Sequence, residues 1–399
     1  MKYLVVVSDG AADYPCDGLN GLTPYEAADK PYTDMLAKGA LCGTVSNVPE
    51  GMVPESDTAN LAILSYDPKI YSKGRSPLEA LSMGLDMKPG QIAFRCNVVT
   101  VSEEGDYDQR TMLDHSADEI TTAEAAELIK AVDEKLGTEL RKFYPGVSYR
   151  HCLLWDNPPA YKEFARPHDI IGQKITDYLP PEPYATLFRE SEKILKDHPV
   201  NQSRRARGLK PANSIWLWSP GAKPALPSFK EKWGLEGAVI SAVDLLKGIG
   251  ICAGMRSIDV EGATGNVHTN YEGKANAAIK AFEDGYDLVY VHVEGPDESG
   301  HRAELDNKVK SISMIDKMII GPVYEYLKTK DERFAIMTLP DHPTPICKRT
   351  HTIDPVPFLI WDSEIKRHGV EAFNEKTAAA TGLYVPNGYE LLSEMIEKK

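Results

Sequence analysis

Three short apolar runs in this chain each deliver a carboxylate at their carboxyl end. Residues 2–8 (KYLVVVS) lead into Asp9 and Gly10, residues 287–295 (DLVYVHVEG) stop just before Asp297, and residues 334–340 (FAIMTLP) end at Asp341. Short apolar runs bounded by turn residues read as strands buried on both faces. Segments 25–38, 56–64, 274–284 and 304–318 show apolar residues spaced by three and four, the helical period. Alternating strands and helices predict an α/β fold, a mostly parallel sheet with helices on both faces. Sites in such sheets lie in the crevice beyond the carboxyl ends of the strands. Three acidic residues are therefore expected at the functional edge.

The middle of the chain has a different texture. Residues 92–101 (IAFRCNVVTV) and 147–155 (VSYRHCLLW) read as strands, 121–141 as an amphipathic helix, and 157–185 as Pro-rich loop. A helix near 186–197 follows, and IWLW at 215–218 is expected to return the chain to the main sheet. The prediction is a smaller inserted α+β domain over 70–200 within a discontinuous main domain made of 1–69 and 201–399.

Charge and composition narrow the function. The formal charge is −14, which repels nucleic acid and anionic membranes, so neither is expected as a partner. An acidic protein that binds phosphates must build a local positive site from metal ions or clustered Arg and Lys. No apolar run reaches the ~18 residues of a membrane span, and no export signal is visible at the N-terminus, so a cytoplasmic location is expected. The six cysteines are scattered without a CxxC pair, which indicates neither a disulfide framework nor a thiolate metal site.

Three segments carry the chemistry. In PDESGH (296–301), Asp297 and His301 are four apart and share one face of a helical turn. Mixed oxygen and imidazole donors suit Zn²⁺ or Mn²⁺ better than Mg²⁺ or Ca²⁺. In DHPTPICKRTH (341–351), Asp341 and His342 leave a strand end and His351 follows a loop stiffened by prolines. In GMVPESDTANLAIL (51–64), Ser56 stands at or near the start of a helix. A serine there is ordinarily a cap. The same amide N–H groups and dipole stabilise a phosphate ester. With Asp9, the candidate ligands are Asp9, Ser56, Asp297, His301, Asp341, His342 and His351. That supply fits two metal ions ~3.5–4 Å apart, able to activate a serine oxygen and neutralise a transferring phosphoryl group.

These segments resemble the alkaline phosphatase superfamily, and more closely its archaeal-type cofactor-independent phosphoglycerate mutases. The resemblance runs almost end to end. It is carried by SDG (8–10), LNGLTPYEAADKP (19–31), PESDTANL (54–61), GRSPLEA (74–80), AFRCN (93–97), HPVN (198–201), PAN (211–213), GATG (262–265), PDESGH, DHPTP (341–345) and HTIDPVPF (351–358). It implies one metal at Asp297, His301 and His351 and a second at Asp9, Ser56, Asp341 and His342. It implies a phosphoserine intermediate on Ser56, no need for 2,3-bisphosphoglycerate, and Mn²⁺ or Zn²⁺ as the favoured metals, with Mg²⁺ or Co²⁺ possible. Clamps for the phosphate and carboxylate of a small phosphorylated substrate are implied at Arg75, Arg95, Arg150, Arg204 and Lys274, with Arg75 and Arg95 foremost. His115 and His151 are further polar contacts to consider.

The sequence also departs from the family pattern. Glu55 replaces a Gly before the serine, Ser76 replaces a common Gly, Arg302 stands where an Asp often follows the His, and LPDHPTP replaces GDHSTP. The stretches FYPGVSYRH, ANSIWLW and AVISAVDLLKGIG look like a bacterial branch proposed to contain homoserine kinases. Besides a mutase, the alternatives are therefore a homoserine kinase, another small-molecule phosphotransferase or a metal-dependent phosphatase. A kinase needs a nucleotide site. No GxxxxGK[ST] loop is present, and GIGICAG (248–254) follows a helical pattern rather than a strand.

Overall fold

The three carboxylate-tipped runs form adjacent strands in the computed structural model, which describes residues 1–396. Lys2–Ser8 lies between Phe334–Leu339 and Leu288–Val293, parallel to both. Leu4, Val6, Val289, Val291, Ile336 and Met337 are all 0% exposed. Each such side chain contributes about 1.5–3 kcal/mol by leaving water. Full burial on both faces explains why these runs are continuously apolar rather than alternating.

The full sheet has eight strands in the order Tyr384–Val385, Leu41–Val45, Val356–Asp362, Phe334–Leu339, Lys2–Ser8, Leu288–Val293, Gly237–Ile240 and Arg256–Ile258. Only Val356–Asp362 runs against the rest. This mostly parallel sheet with its helices belongs to a unit formed by Met1–Ser72 and the chain from Ala225 onward.

Two helices differ from the periodicity reading. Residues 25–38 form two short helices, Pro24–Ala27 and Pro31–Ala37, with an extended link. Pro31 is the cause, because a proline disfavours helical backbone in the residue before it. The second helix is capped from outside: the Asp316 carboxylate accepts the Tyr32 N–H (3.1 Å), the Thr33 N–H (2.6 Å) and the Thr33 hydroxyl (2.6 Å). Leu305–Ile315 runs into a π-helical turn at Asp316–Ile320 before Gly321–Lys328. Pro322 has no N–H for the α-helical ladder, and the wider turn precedes it.

The second unit, Lys73–Pro224, is an antiparallel sheet of five strands. Gln91–Val101 is its spine and pairs with Met112–Asp114, Arg150–Asp156 and Ser214–Ala222, while Arg141–Tyr144 extends Arg150–Asp156. The helices Thr122–Leu136 and Tyr184–Leu195 bury Leu128, Ile129, Leu187 and Phe188 in a core shared with Phe94, Val98 and Trp216. Here the expectation for IWLW is corrected. Trp216 pairs with Asn97 and Leu217 with Cys96, so the segment completes this sheet and not the eight-stranded one. Ile215, Trp216 and Leu217 are each 0% exposed and fill both faces. A short apolar run reads identically in either sheet, and only the partner strand distinguishes them.

Candidate active site

Parallel register brings the three acids together. Val7 pairs with Leu339 and Ser8 with Val293, so Asp9, Asp341 and the start of the Gly295–Arg302 helix leave the sheet side by side. Gly10 makes the approach possible. Its φ is +62°, and a Cβ there would collide with Asp297 Oδ1 and Thr344 Oγ1. Its N–H donates to Asp341 Oδ1 at 3.0 Å.

All seven residues picked out as ligands cluster. Asp297, His301 and His351 form one group, and Asp9, Asp297 and His342 another, with the donor atoms of each group within 4.8 Å of one another. A third group of the same size joins Asp9 and Asp341 to His292. Ser56 is the first residue of the Ser56–Ile63 helix, and its Oγ lies 3.3 Å from His342 Nε2.

The hydrogen bonds assign the imidazole tautomers. His301 Nδ1 lies 3.0 Å from the Arg349 carbonyl and His351 Nδ1 lies 2.6 Å from the Pro54 carbonyl. A carbonyl only accepts, so each Nδ1 carries a hydrogen and each Nε2 is left with a lone pair that binds either a proton or a metal ion. Those two Nε2 atoms are 2.9 Å apart, with Asp297 oxygens at 3.2 and 3.4 Å. Two lone pairs and a carboxylate converging on one point need a proton or a metal ion between them. Thr344 Oγ1 donates to Asp297 Oδ1, so toward His342 Nδ1 (3.4 Å) it accepts. That leaves His342 Nε2 as a lone pair facing Ser56, with Asp9 Oδ1 and Asp341 Oδ2 each at 3.6 Å. Asp9 Oδ1 is buried and has no hydrogen-bond partner among the described residues. These donors fit divalent cations, with backbone and hydroxyl groups orienting the ligands from behind.

Electrostatics agree. Burial, with Asp341 beside it, pushes the Asp9 carboxyl well above its ordinary range. Burial also pushes Asp297 up, but hydrogen bonds from His301 and His351 overcome it and hold this carboxyl well below that range. The Asp297 hydrogen bond raises His301 to about 9. Burial, then Asp297, raises Glu294 to about 7. So much negative charge in so little water calls for cationic partners.

His292 went unnoticed in the sequence reading. It sits inside the Leu288–Val293 strand at 0% exposure, and burial lowers it to about 4, keeping it neutral. Ser241 Oγ accepts the Val243 N–H and lies 3.3 Å from His292 Nδ1. His292 Nε2 lies 3.0 Å from Asp9 Oδ2, in the third group of potential ligands. The signal was a lone imidazole in an otherwise apolar strand.

The clamp residues fall into different settings. Lys274 is 0% exposed, with Nζ donating to the His292 carbonyl at 2.7 Å, and burial lowers it to about 8. In the Lys73–Pro224 unit, Arg75 is half-buried just before the Ser76–Ser82 helix. Arg95 is paired with Glu79 and stacked 4.5 Å from the Trp218 ring. Arg150 is exposed beside Tyr149. Arg204 is different: at 1% exposure it holds Glu124 (2.7 Å), the Lys210 carbonyl (3.0 Å) and the Ala117 carbonyl, a set of bonds that serves its own unit's interior. His115 packs against Tyr149 and His168. His151 is buried, with Nδ1 accepting the Gly146 N–H.

The comparisons with known proteins point the same way. A family described as 2,3-bisphosphoglycerate-independent phosphoglycerate mutase matches residues 37–201. A protein of that name from Methanosarcina barkeri is 46% identical over 405 residues, covering 100% of both chains. This chain belongs to the 2,3-bisphosphoglycerate-independent phosphoglycerate mutases. A solved structure of the cofactor-independent phosphoglycerate mutase from Thermoplasma acidophilum superposes with a TM-score of 0.69 at 27% identity, covering 100% of both chains. A protein from Pyrococcus horikoshii superposes with a TM-score of 0.83 at 28% identity, covering 99% of this chain and 96% of its own. The fold of these mutases is alkaline-phosphatase-like, and the family uses divalent metal and no 2,3-bisphosphoglycerate. Membership supports the mutase over the homoserine kinase. Among the described residues, no helix is long and apolar enough to cross a membrane.

Proposed function

We propose that this chain is a cytoplasmic enzyme interconverting 2- and 3-phosphoglycerate through a phosphoserine on Ser56. The observation that carries the reading is the position of Ser56 Oγ, at a helix N-terminus and 3.3 Å from His342 Nε2 beside the carboxylates. Asp297, His301 and His351 would hold one divalent cation, and Asp9, Ser56, Asp341 and His342 the other, with Mn²⁺ or Zn²⁺ favoured by the mixed donors. Bound there, the cations supply a lowered serine pKa and neutralise charge on the phosphoryl group.

The chain's own residues do the rest. Ser56 Oγ attacks phosphorus, the bond from phosphorus to the glycerate oxygen breaks, and that oxygen takes a proton as the serine loses one. The glycerate then turns and attacks the phosphoserine through its other hydroxyl, which restores Ser56. Amide groups at the start of the Ser56–Ile63 helix stabilise the ester. The Lys73–Pro224 unit serves as the substrate-binding lid, with Arg75, Arg95 and Arg150 supplying grips for phosphate and carboxylate. Excluding water while the ester exists keeps the enzyme a mutase and not a phosphatase.

The test presents purified protein and Mn²⁺ with 3-phosphoglycerate alone, and separately with ATP plus homoserine. Turnover of the first without nucleotide is expected. Turnover of only the second would replace the mutase with the kinase. Ser56→Ala should fold normally and lose phosphoryl transfer; activity equal to the parent's would end the phosphoserine mechanism.

A further inference from the structure

Asn60 sits one turn into the helix that begins with Ser56 and is 0% exposed. Its Nδ2 donates to the Ser56 carbonyl at 2.8 Å and to Asp341 Oδ2 at 2.8 Å. Its Oδ1 receives the hydroxyl of Tyr290, from the central Leu288–Val293 strand. The amide orientation is unambiguous, because a carbonyl and a carboxylate can only accept, so Nδ2 must face them. A buried Asn with both N–H bonds and its oxygen engaged is an unusually well-determined joint.

Counting lone pairs on Asp341 shows what the joint does. A carboxylate has about four acceptor sites. Oδ1 receives the Gly10 N–H at 3.0 Å and the His342 N–H at 2.8 Å. Oδ2 receives Asn60. One site remains, on Oδ2, the oxygen 3.6 Å from His342 Nε2. The same amide group fixes the carbonyl of Ser56, whose hydroxyl also faces His342 Nε2. Asn60 therefore sets the distance between the nucleophile's backbone and the carboxylate.

We infer that Asn60 is a positioning residue, which aims the last lone pair of Asp341 at the cation site and registers Ser56 to it, with Tyr290 holding the amide in place. The inference rests on the reading of Asp341 as a metal ligand. Substitutions behind metal ligands typically cost 10–100-fold in affinity or activity. Asn60→Leu keeps the volume and removes both donors. In chelator-stripped protein, its Mn²⁺ affinity by titration calorimetry is expected to fall by about 10–100-fold. In metal-saturated protein kcat is expected to fall by a similar factor, with KM for 3-phosphoglycerate changed less than about threefold, since the lost contact aligns the nucleophile and does not grip substrate. Tyr290→Phe should give a smaller loss of the same kind and no further loss in the Asn60→Leu background, because it acts through Asn60.

Parent-like Mn²⁺ affinity and kcat in a folded Asn60→Leu protein would overturn the inference. Should that variant not fold, Tyr290→Phe decides: parent-like affinity and kcat there overturn it equally. Asp341→Ala separates the two layers. If it binds Mn²⁺ as the parent does, the metal reading falls and takes Asn60 with it. If it loses Mn²⁺ while Asn60→Leu keeps it, only the role of Asn60 is refuted.

Discussion

Lys308 offers a direct test of how the loop carrying the proposed metal ligands is held. It is 0% exposed, and its Nζ donates to Asp13 Oδ2 at 2.7 Å and to the Thr344 carbonyl at 2.8 Å. Asp13 also receives the Ile346 N–H at 3.1 Å. The pair thus clips the segment after Asp341 to the turn after the first strand, and Thr344 in turn holds Asp297. Lys308→Met keeps the length of the stem and removes the charge. Breaking a buried pair from one side costs about 3–5 kcal/mol, because it strands the partner charge. That figure includes the orphaned Thr344 carbonyl, worth about 1–3 kcal/mol by itself. Against a typical total of about 5–15 kcal/mol, the loss is severe. Thermal unfolding of chelator-treated protein should show a midpoint lowered on the order of 10 °C. Adding Asp13→Asn removes the stranded charge and should recover more than half of the drop. Mn²⁺ affinity should fall in the single variant and partly return in the double. A midpoint within about 2 °C of the parent's, or a double variant no better than the single, would refute the reasoning.

Two further outcomes follow from the geometry. His301 is raised to about 9 by Asp297, so in metal-free protein it binds a proton more tightly than when unfolded. That contribution to stability is complete below the ordinary histidine pKa of about 6.5 and is lost as pH rises through about 9. A metal ion needs the neutral imidazole, so Mn²⁺ affinity should climb with pH between those values and release protons; a flat calorimetric profile would contradict the ligand assignment. Arg204→Met should destabilise the protein by about 3–5 kcal/mol while leaving KM for 3-phosphoglycerate unchanged, because its guanidinium serves the interior of its own unit. Unchanged stability with a raised KM would restore Arg204 as a substrate clamp.

How much was legible in the sequence depended on where a residue's partners come from. The three central strands could be read because burial on both faces demands unbroken apolar runs, and each run ended on an acid. Asp297 and His301 could be paired because helical spacing is a local property. IWLW could not be placed, since nothing in four apolar residues names the strand they pair with. The break at Lys30 was readable from Pro31 but was masked by apolar spacing on either side. His292, Asn60 and Tyr290 escaped for one reason: each lies within a regular element whose period already explains its neighbours. Their importance arises from contacts across 230 residues or more, such as Tyr290 to Asn60 and Asn60 to Asp341.

Charge links the site to the whole chain. A protein of net charge −14 has no general field to attract a phosphorylated acid. Asp9, Asp297 and Asp341 are each at most 6% exposed, and Glu294 is mostly out of water beside them. Without cations the cluster balances itself with protons: burial raises Asp9, and Asp297 raises His301 and His351, which draws a proton to their shared Nε2 edge. That arrangement occupies the same Nε2 lone pairs that face the carboxylates, so it cannot also offer positive charge to a phosphoryl group. Under the proposed ligand set, exchanging those protons for divalent ions would turn a self-neutralised acidic pocket into a positive one. The acids do not oppose an anionic substrate; they are the reason a site able to accept one can exist on so acidic a protein.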